Sequence, residues 1–250
     1  MKGKVLIAAV LVLAAASAGA SGSEEDGPID SFGIRVIVIH SGSLDVRVSV
    51  SEDGSVALDS ETGSDSLADE AAARVLHSRE GGRLRVWVES DSIFLSPPSG
   101  QLRVGAPRGI DIVVETSSGS VSVDGTVGGK CSIHTISGGM RIRRVRSRLS
   151  VNSVSGSIFL DAAEGSVDAS TVSGTVHGRA LKLIGDSSFS SVSGDIDVEL
   201  APGVETHVYD LQSVSGSITI GSIRAQRGLR MGFAGPLVRG HTVSGALSFR

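Results

Sequence analysis

From about residue 110 the chain repeats itself, and this repeat decides what it can fold into. The dipeptide Ser-Gly recurs with its glycine at Gly119, Gly138, Gly156, Gly174, Gly194, Gly216 and Gly245, at spacings of 19, 18, 18, 20, 22 and 29 residues. The commonest form is Thr/Ser-Val-Ser-Gly with Ile or Val two residues on, as in SVSGSI at 153–158 and TVSGTV at 171–176. Units of this length cannot bury an apolar face alone and do so by stacking on one another.

Aligned on their glycines, the copies place apolar residues in columns. Two residues before Gly stand Ser117, Ile136, Val154, Val172, Val192, Val214 and Val243; two after stand Val121, Met140, Ile158, Val176, Ile196, Ile218 and Leu247. Four after stand Val123, Ile142, Leu160, Gly178, Val198, Ile220 and Phe249. Five before stand Val114, Ile133, Val151, Ala169, Phe189, Leu211 and Gly240, and seven before stand Ile112, Cys131, Leu149, Val167, Ser187, Tyr209 and Val238. Only Ser117, Gly178, Ser187 and Gly240 break the pattern.

Alternation with mostly polar residues between is that of strands buried on one face. All five columns are expected to point inward. The phase slips between the fifth and second positions before Gly, so one corner belongs there. A second is expected near Gly125, Arg144, Ala162 and Gly185. The expected fold is all-β: a single-stranded parallel β-helix, or solenoid, of about seven coils over residues 111–250, each stacked on the next about 4.8 Å away.

Upstream, residues 32–110 read as a β-strand-rich region continuous with the solenoid. Ile34 to Val50 alternates with period two, Val56 and Leu58 follow a Glu52-Asp53-Gly54 turn, and Leu84, Val86 and Val88 mark another strand. Residues 59–72 read as an acidic loop with room for a helical turn. Ile93 to Leu95 makes a short strand, and MGFAGPLVRG (231–240) is expected to be a loop. No helix longer than two turns is expected.

The N-terminus has the grammar of a signal peptide over 1–20. Lys2 and Lys4 precede the apolar run Val5–Ala16, and Ala18-Gly19-Ala20 offers a small-x-small cleavage site. An uncleaved N-terminal anchor is the other reading. Residues 21–31 are an acidic, flexible lead-in. Cleavage would remove two lysines and take the net charge from −4 to −6. Such a chain is a poor nucleic-acid binder. No transmembrane helix is expected in the mature chain, and Cys131 has no partner for an internal disulfide. The protein is therefore expected to be exported, to the periplasm, cell surface or extracellular space.

The repeat resembles the bacterial putative adhesin family of exported β-solenoid domains. The resemblance rests on the strand pair from Gly33 to Val50, the lead-in LRVGAPRGIDIVVETSSGSVSV (102–123) and the closing TVSGALSF (242–249), and covers roughly 32–250. It implies a right-handed β-helix, with 242–249 as the last coil, and a non-catalytic binding or scaffolding role.

The residues themselves offer little chemistry. The Ser column (Ser118, Ser137, Ser155, Ser173, Ser193, Ser215, Ser244) and the Thr/Ser column two residues before it read as hydroxyl ladders supporting a turn; a nucleophile occurs once, beside a base. Arg141, Arg143, Arg144, Arg146 and Arg148 form the one dense charge cluster. Arg141 and Arg148 should point outward, with the other three at or near the second corner. The cluster suits an anionic partner such as an envelope glycan, a lipid phosphate or an acidic surface protein. Charge runs are more often a solvated face, here one that would discourage edge association. Asp195, Asp197 and Glu199 alternate outward and support an alternative, a β-helix carbohydrate-active enzyme with Asp195 and Asp197 flanking the scissile bond. The histidines show no metal-ligand spacing, and no cofactor is expected. The scarcity of aromatics argues against a sugar-stacking platform.

Overall fold

The computed structural model describes residues 28–63, 73–90, 99–125, 128–232 and 234–250. The expected signal peptide, residues 21–27 of the lead-in and the strand at 93–95 lie outside the described residues. The N-terminal part forms β1 (Val36–Ser41), β2 (Asp45–Val50), β3 (Ala57–Gly63), β4 (Ala73–Glu80), β5 (Arg83–Ser90) and β6 (Ser99–Ala106). The central copies form β7 (Asp111–Thr116), β8 (Val121–Asp124), β9 (Lys130–Thr135), β10 (Met140–Arg143), β11 (Arg146–Ser153), β12 (Ile158–Asp161), β13 (Glu164–Thr171) and β14 (Val176–Leu183). The C-terminal part adds β15 (Ser187–Ser193), β16 (Ile196–Leu200), β17 (Val208–Ser215), β18 (Ile218–Ile220), β19 (Ile223–Ala225), β20 (Gly228–Met231), β21 (Leu237–Ser244) and β22 (Leu247–Phe249).

Each Ser-Gly copy contributes one strand to each of two faces. The first face runs β4-β5-β1-β7-β9-β11-β13-β15-β21-β17-β20. The second runs β3-β6-β2-β8-β10-β12-β14-β16-β22-β18-β19. All neighbours are parallel except the outermost pair at each end, which is antiparallel. These antiparallel strands cap both ends of the stack and, each pairing on one side only, form its outer edges. Sequence reading missed β4, β19 and β20. It took the first half of the 59–72 stretch for loop, yet Ala57–Gly63 is a strand along β6, where Arg103 meets Asp59 at 2.9 Å and Glu61 at 2.6 Å.

The stack does not follow chain order at its ends. The coil of β21 and β22 enters between those of β15–β16 and β17–β18, so TVSGALSF is not the outermost coil. In the same way β1–β2 lies between β5–β6 and β7–β8. The 29-residue gap thus holds more than a loop. It carries the cap strands β19 and β20, and Leu237–Gly240 already belongs to β21. The N-terminal coil is a repeat in disguise. Ser41-Gly42-Ser43-Leu44 takes the place of Thr-Val-Ser-Gly, with Ile37, Ile39, Val46 and Val48 in the apolar columns.

The first corner departs from expectation. The column two before Gly points outward: Ile136, Val154 and Val172 are 39%, 40% and 38% exposed, and Val214 67%. The buried column is one residue earlier, the hydroxyls Thr116, Thr135, Ser153, Thr171, Ser191, Ser213 and Thr242. Alternation therefore runs unbroken to the third position before Gly, turns over the exposed Val-Ser pair, and resumes inward at the glycine. The buried hydroxyls make that turn possible. Thr116, Thr135 and Ser153 accept from the N–H of Gly119, Gly138 and Gly156 at 3.2, 3.0 and 2.7 Å, as a side chain standing in for a backbone acceptor at a tight turn. A glycine is required beneath them. A Cβ on Gly156 would lie 2.0 Å from the Gly138 carbonyl oxygen of the neighbouring coil.

The second corner falls six residues after the glycine, at Gly125, Arg144, Ala162 and Ala180, with φ of 102°, 54°, 52° and 50°. Ala180 replaces the expected Gly185. Past this corner Val145, Ala163 and Leu181 turn inward and line a short third side. Two exceptions in the columns are filled by neighbours. A Cβ on Gly178 would sit 2.6 Å from Leu181 Cδ1, and one on Gly240 would sit 2.7 Å from Leu211 Cδ2. Around the inserted coil the core is aromatic: Phe249 packs edge-on between Phe189 and Tyr209, at 5.9 and 5.7 Å between ring centres, a favoured arrangement of aromatic pairs.

Candidate functional site

The arginine cluster straddles the second corner, so its members face different ways. Arg141 and Arg143 stand on β10, Arg144 at the corner, and Arg146 and Arg148 on β11. Three are paired with two carboxylates one coil away. Arg143 and Arg144 both reach Asp124, at 2.8 and 2.7 Å, and Arg146 reaches Glu164 at 3.0 Å. Glu164 also takes Lys182 at 3.1 Å. That ammonium, with Arg146 behind it, holds the Glu164 carboxyl below its usual range. Arg141 and Arg148 make no ion pair among the described residues, and they lie on different faces. The cluster is not a single basic patch.

Stacking in register explains the pairing. Equivalent outward residues of adjacent coils stand one strand spacing apart, so unlike charges in one column meet directly. Five residues past the glycine the column reads Asp124, Arg143, Asp161, Arg179, with Asp161 and Arg179 at 3.7 Å. The outward acids proposed for catalysis are engaged too. Asp195 accepts from the Ala246 N–H at 2.8 Å, and Asp197 binds Arg250 at 2.9 Å. Among the described residues no group of three or more His, Cys, Asp or Glu side chains could hold a metal ion. Cys131 is a core residue whose thiol burial pushes up to about 12.

Three depressions on the surface of the described residues bear on function. One, of about 870 Å³, opens where the β13–β15 ladder parts. There Ser187 substitutes for a backbone acceptor, taking the Val167 N–H at 3.0 Å and donating to the Gly185 carbonyl at 3.0 Å. Arg148, Asp168, Ile184 and Arg239 line it, and desolvation by its walls pushes the Asp168 carboxyl up. The other two, of about 420 and 340 Å³, lie side by side on the second face and share Arg141 and Phe159 as their dividing wall. In that wall three flat groups from successive coils stack. Arg141 lies 5.7 Å from the Phe159 ring centre, and His177 stacks on Phe159 at 5.3 Å and 12°. Sequence reasoning missed Phe159 and His177 as neighbours, although both stand three residues past their glycines.

Along the first corner the exposed Ile136, Val154, Val172 and Val214 and the half-buried Val192 and Val243 form an aliphatic ridge one side chain wide. On the first face His40 Nδ1 meets Glu115 at 3.1 Å, and His134 follows Glu115 in register. No helix among the described residues is long and apolar enough to cross a membrane.

The family profile described as Toastrack DUF4097 matches residues 90–230. No curated protein matches the chain. A crystal structure titled as a "putative cell adhesion protein" from Clostridium sporogenes is similar at 8% identity and a TM-score of 0.35, covering 92% of this chain and 99% of that one.

Proposed function

Starting from the chain's membership of the Toastrack DUF4097 family, we propose that it is an exported, non-catalytic scaffold of the cell envelope or surface that presents its outward coil faces to a binding partner. In this reading residues 1–20 are the signal peptide and 21–31 a tether. Residues 32–110 begin the stack, and 111–250 carry the Ser-Gly coils, seven in number and wound right-handed. What supports the reading most is the cancellation of outward charge from coil to coil. Asp195 and Asp197, the acids of the enzymatic alternative, are taken up in contacts between coils, with the Ala246 N–H and with Arg250.

An anionic partner, whether envelope glycan, lipid phosphate or surface protein, would engage the guanidinium groups that the ladder leaves unpaired, Arg141 and Arg148, rather than all five arginines. The test is fractionation of cells expressing the tagged full-length chain, followed by pull-down on envelope glycans, anionic vesicles and envelope proteins. Recovery from the envelope or medium with saturable binding to one of these is expected. Recovery only from the cytoplasm, or no saturable binding, would overturn the proposal. Turnover of a cell-wall or uronate polymer that is lost in Asp195→Ala/Asp197→Ala would restore the enzymatic alternative.

A further inference from the structure

We infer that the paired depressions on the second face form a binding trough for an extended, carboxylate-bearing polysaccharide, with Arg47 and Arg141 as its anion clamps. This rests on the reading of the chain as an envelope binding scaffold and names the ligand class and the residues.

The second face carries two cations without an ion-pair partner among the described residues. Arg47, Ser122 and Arg141 are register neighbours in one outward column. Both arginines are exposed and neither makes an ion pair among the described residues, although carboxylates neutralise Arg143, Arg179 and Arg250 on the same face. Arg47 and Arg141 stand two strand spacings apart, about 9.5 Å, with only Ser122 between. The floor beside them is Ser120 and Gly139, and the small side chains leave the 340 Å³ depression. A carboxylate over Ser122 would meet a guanidinium fork from either side, the bidentate geometry that arginine favours.

Arg141 is also held in place. Its guanidinium lies over Phe159, which is backed by His177. The cation–π contact restricts the side chain, so less freedom is lost when an anion binds. The ring faces within the stack are occupied by one another. Phe159 therefore presents an edge, 40% of its surface exposed, as an apolar wall to both depressions.

The ligand must be long and polar as well as anionic. The two depressions run on either side of that wall, along the axis of the stack. The second holds Arg179 and Arg250 together with Asp197 and Glu199. The first holds Gln101 and Asp45, whose Oδ1 already accepts the Ser120 N–H at 2.8 Å. Acceptors and donors alternate with cations, which suits hydroxyls between acid groups. A bare polyanion would meet Asp45, Asp197 and Glu199 as repulsive neighbours. A polysaccharide lying along the axis would set one carboxylate over Ser122, between Arg47 and Arg141, and carry the hydroxyls of its neighbouring sugars along both depressions.

The test is affinity electrophoresis of the full chain through gels containing polygalacturonate, polyphosphate or neutral dextran at physiological salt. Retardation by polygalacturonate alone is expected. Arg47→Ala/Arg141→Ala should weaken it at least tenfold, Phe159→Leu should weaken it severalfold, and Arg74→Ala/Arg83→Ala, which removes the same two charges from exposed positions on β4 and β5 of the first face, should leave it unchanged. Retardation by polyphosphate equal to that by polygalacturonate would overturn the inference in favour of plain charge attraction, as would equal weakening by Arg74→Ala/Arg83→Ala. No retardation by polygalacturonate would also overturn it. If envelope fractions still retained the protein in that case, the scaffold reading would stand and only the trough would fall; if they did not, both would.

Discussion

Gly156→Ala replaces one hydrogen by a methyl group and should be among the most damaging changes of its size in this chain. Gly156 does not occupy the left-handed region, so the backbone conformation itself is open to alanine. The damage comes from the neighbouring coil. The new Cβ would lie 2.0 Å from the Gly138 carbonyl oxygen, 2.8 Å from its carbon and 2.8 Å from Ser153 Oγ, where ordinary contacts begin near 3.4 Å. Two of the three atoms are backbone, so relief requires the coils to separate at the corner. Overpacking of this kind costs about 1–3 kcal/mol. Separation would also weaken the Ser155 N–H to Ile136 O bond between coils at 2.8 Å, and the Cβ crowding Ser153 Oγ would disturb the Gly156 N–H to Ser153 Oγ bond at 2.7 Å within the coil, at about 1 kcal/mol each. The combined loss is on the order of 3–5 kcal/mol, which lowers Tm by roughly 10 °C or more in a domain of this size. Ser155→Ala, at an exposed position, should change stability by less than about 0.5 kcal/mol. Thermal and urea melts of the three proteins measure the contrast. Gly156→Ala melting within about 2 °C of the wild type would refute the claim that the glycines lie against the carbonyls of the next coil.

A second contrast sets buried against exposed neighbours in the same copy. Ile158→Asp places a charge where exposure is zero and should abolish folding, whereas Val154→Asp and Ser157→Asp should each cost no more than about 1 kcal/mol by thermal melting. Acid should unfold the chain through its paired carboxylates. Lys182 holds Glu164, and Arg230 holds Asp210, below the ordinary range. The stabilisation they give is complete above the unfolded carboxylate value, about 4, and is lost as pH falls through the lower folded values. Glu164→Gln/Asp210→Asn should therefore melt lower at pH 7 and show a shallower fall in Tm below pH 4; parallel curves would contradict this. Truncation after Pro236 removes β21 and β22 and leaves a slot between β15 and β17, so the shortened chain should lose cooperative melting. Retention of the wild-type Tm would mean that the last coil is dispensable.

Much of this architecture could be read from the chain because stacking imposes a column on every inward position. Ile158, Met140 and Val176 were placed in one buried row by alignment alone, and they are register partners. The first corner was misread for a physical reason. Val154 is as apolar as a core residue, and Ser153 is not, yet a tight turn needs a hydroxyl acceptor inside, and it puts the β-branched residue outside, where its copies in adjacent coils half shield one another. Polarity alone cannot distinguish a buried turn hydroxyl from a solvated one. The order of coils was hidden because the columns of any two copies are interchangeable. Val238 fits equally well beside Ser187 or beyond Tyr209, and only the cap strands β19 and β20, short and weakly patterned, determine where the last coil goes. At the candidate site the arginines were visible, but their partners, Asp124 and Glu164, lie 20 and 18 residues away in sequence from Arg144 and Arg146, roughly one coil. Arg47 stood outside the recognised repeat because Leu44 occupies its glycine position.

The order of the coils is tested most directly by engineered disulfides at the corner. Ser244 is the register partner of both Ser193 and Ser215, which places Ser193 and Ser215 two spacings apart, about 9.5 Å and beyond the reach of a disulfide. Cys131 is buried and cannot compete. Under mild oxidation, Ser193→Cys/Ser244→Cys should close to a disulfide in the folded chain and Ser193→Cys/Ser215→Cys should remain reduced. Closure of the second pair but not the first would place the coils in chain order and contradict the inserted C-terminal coil.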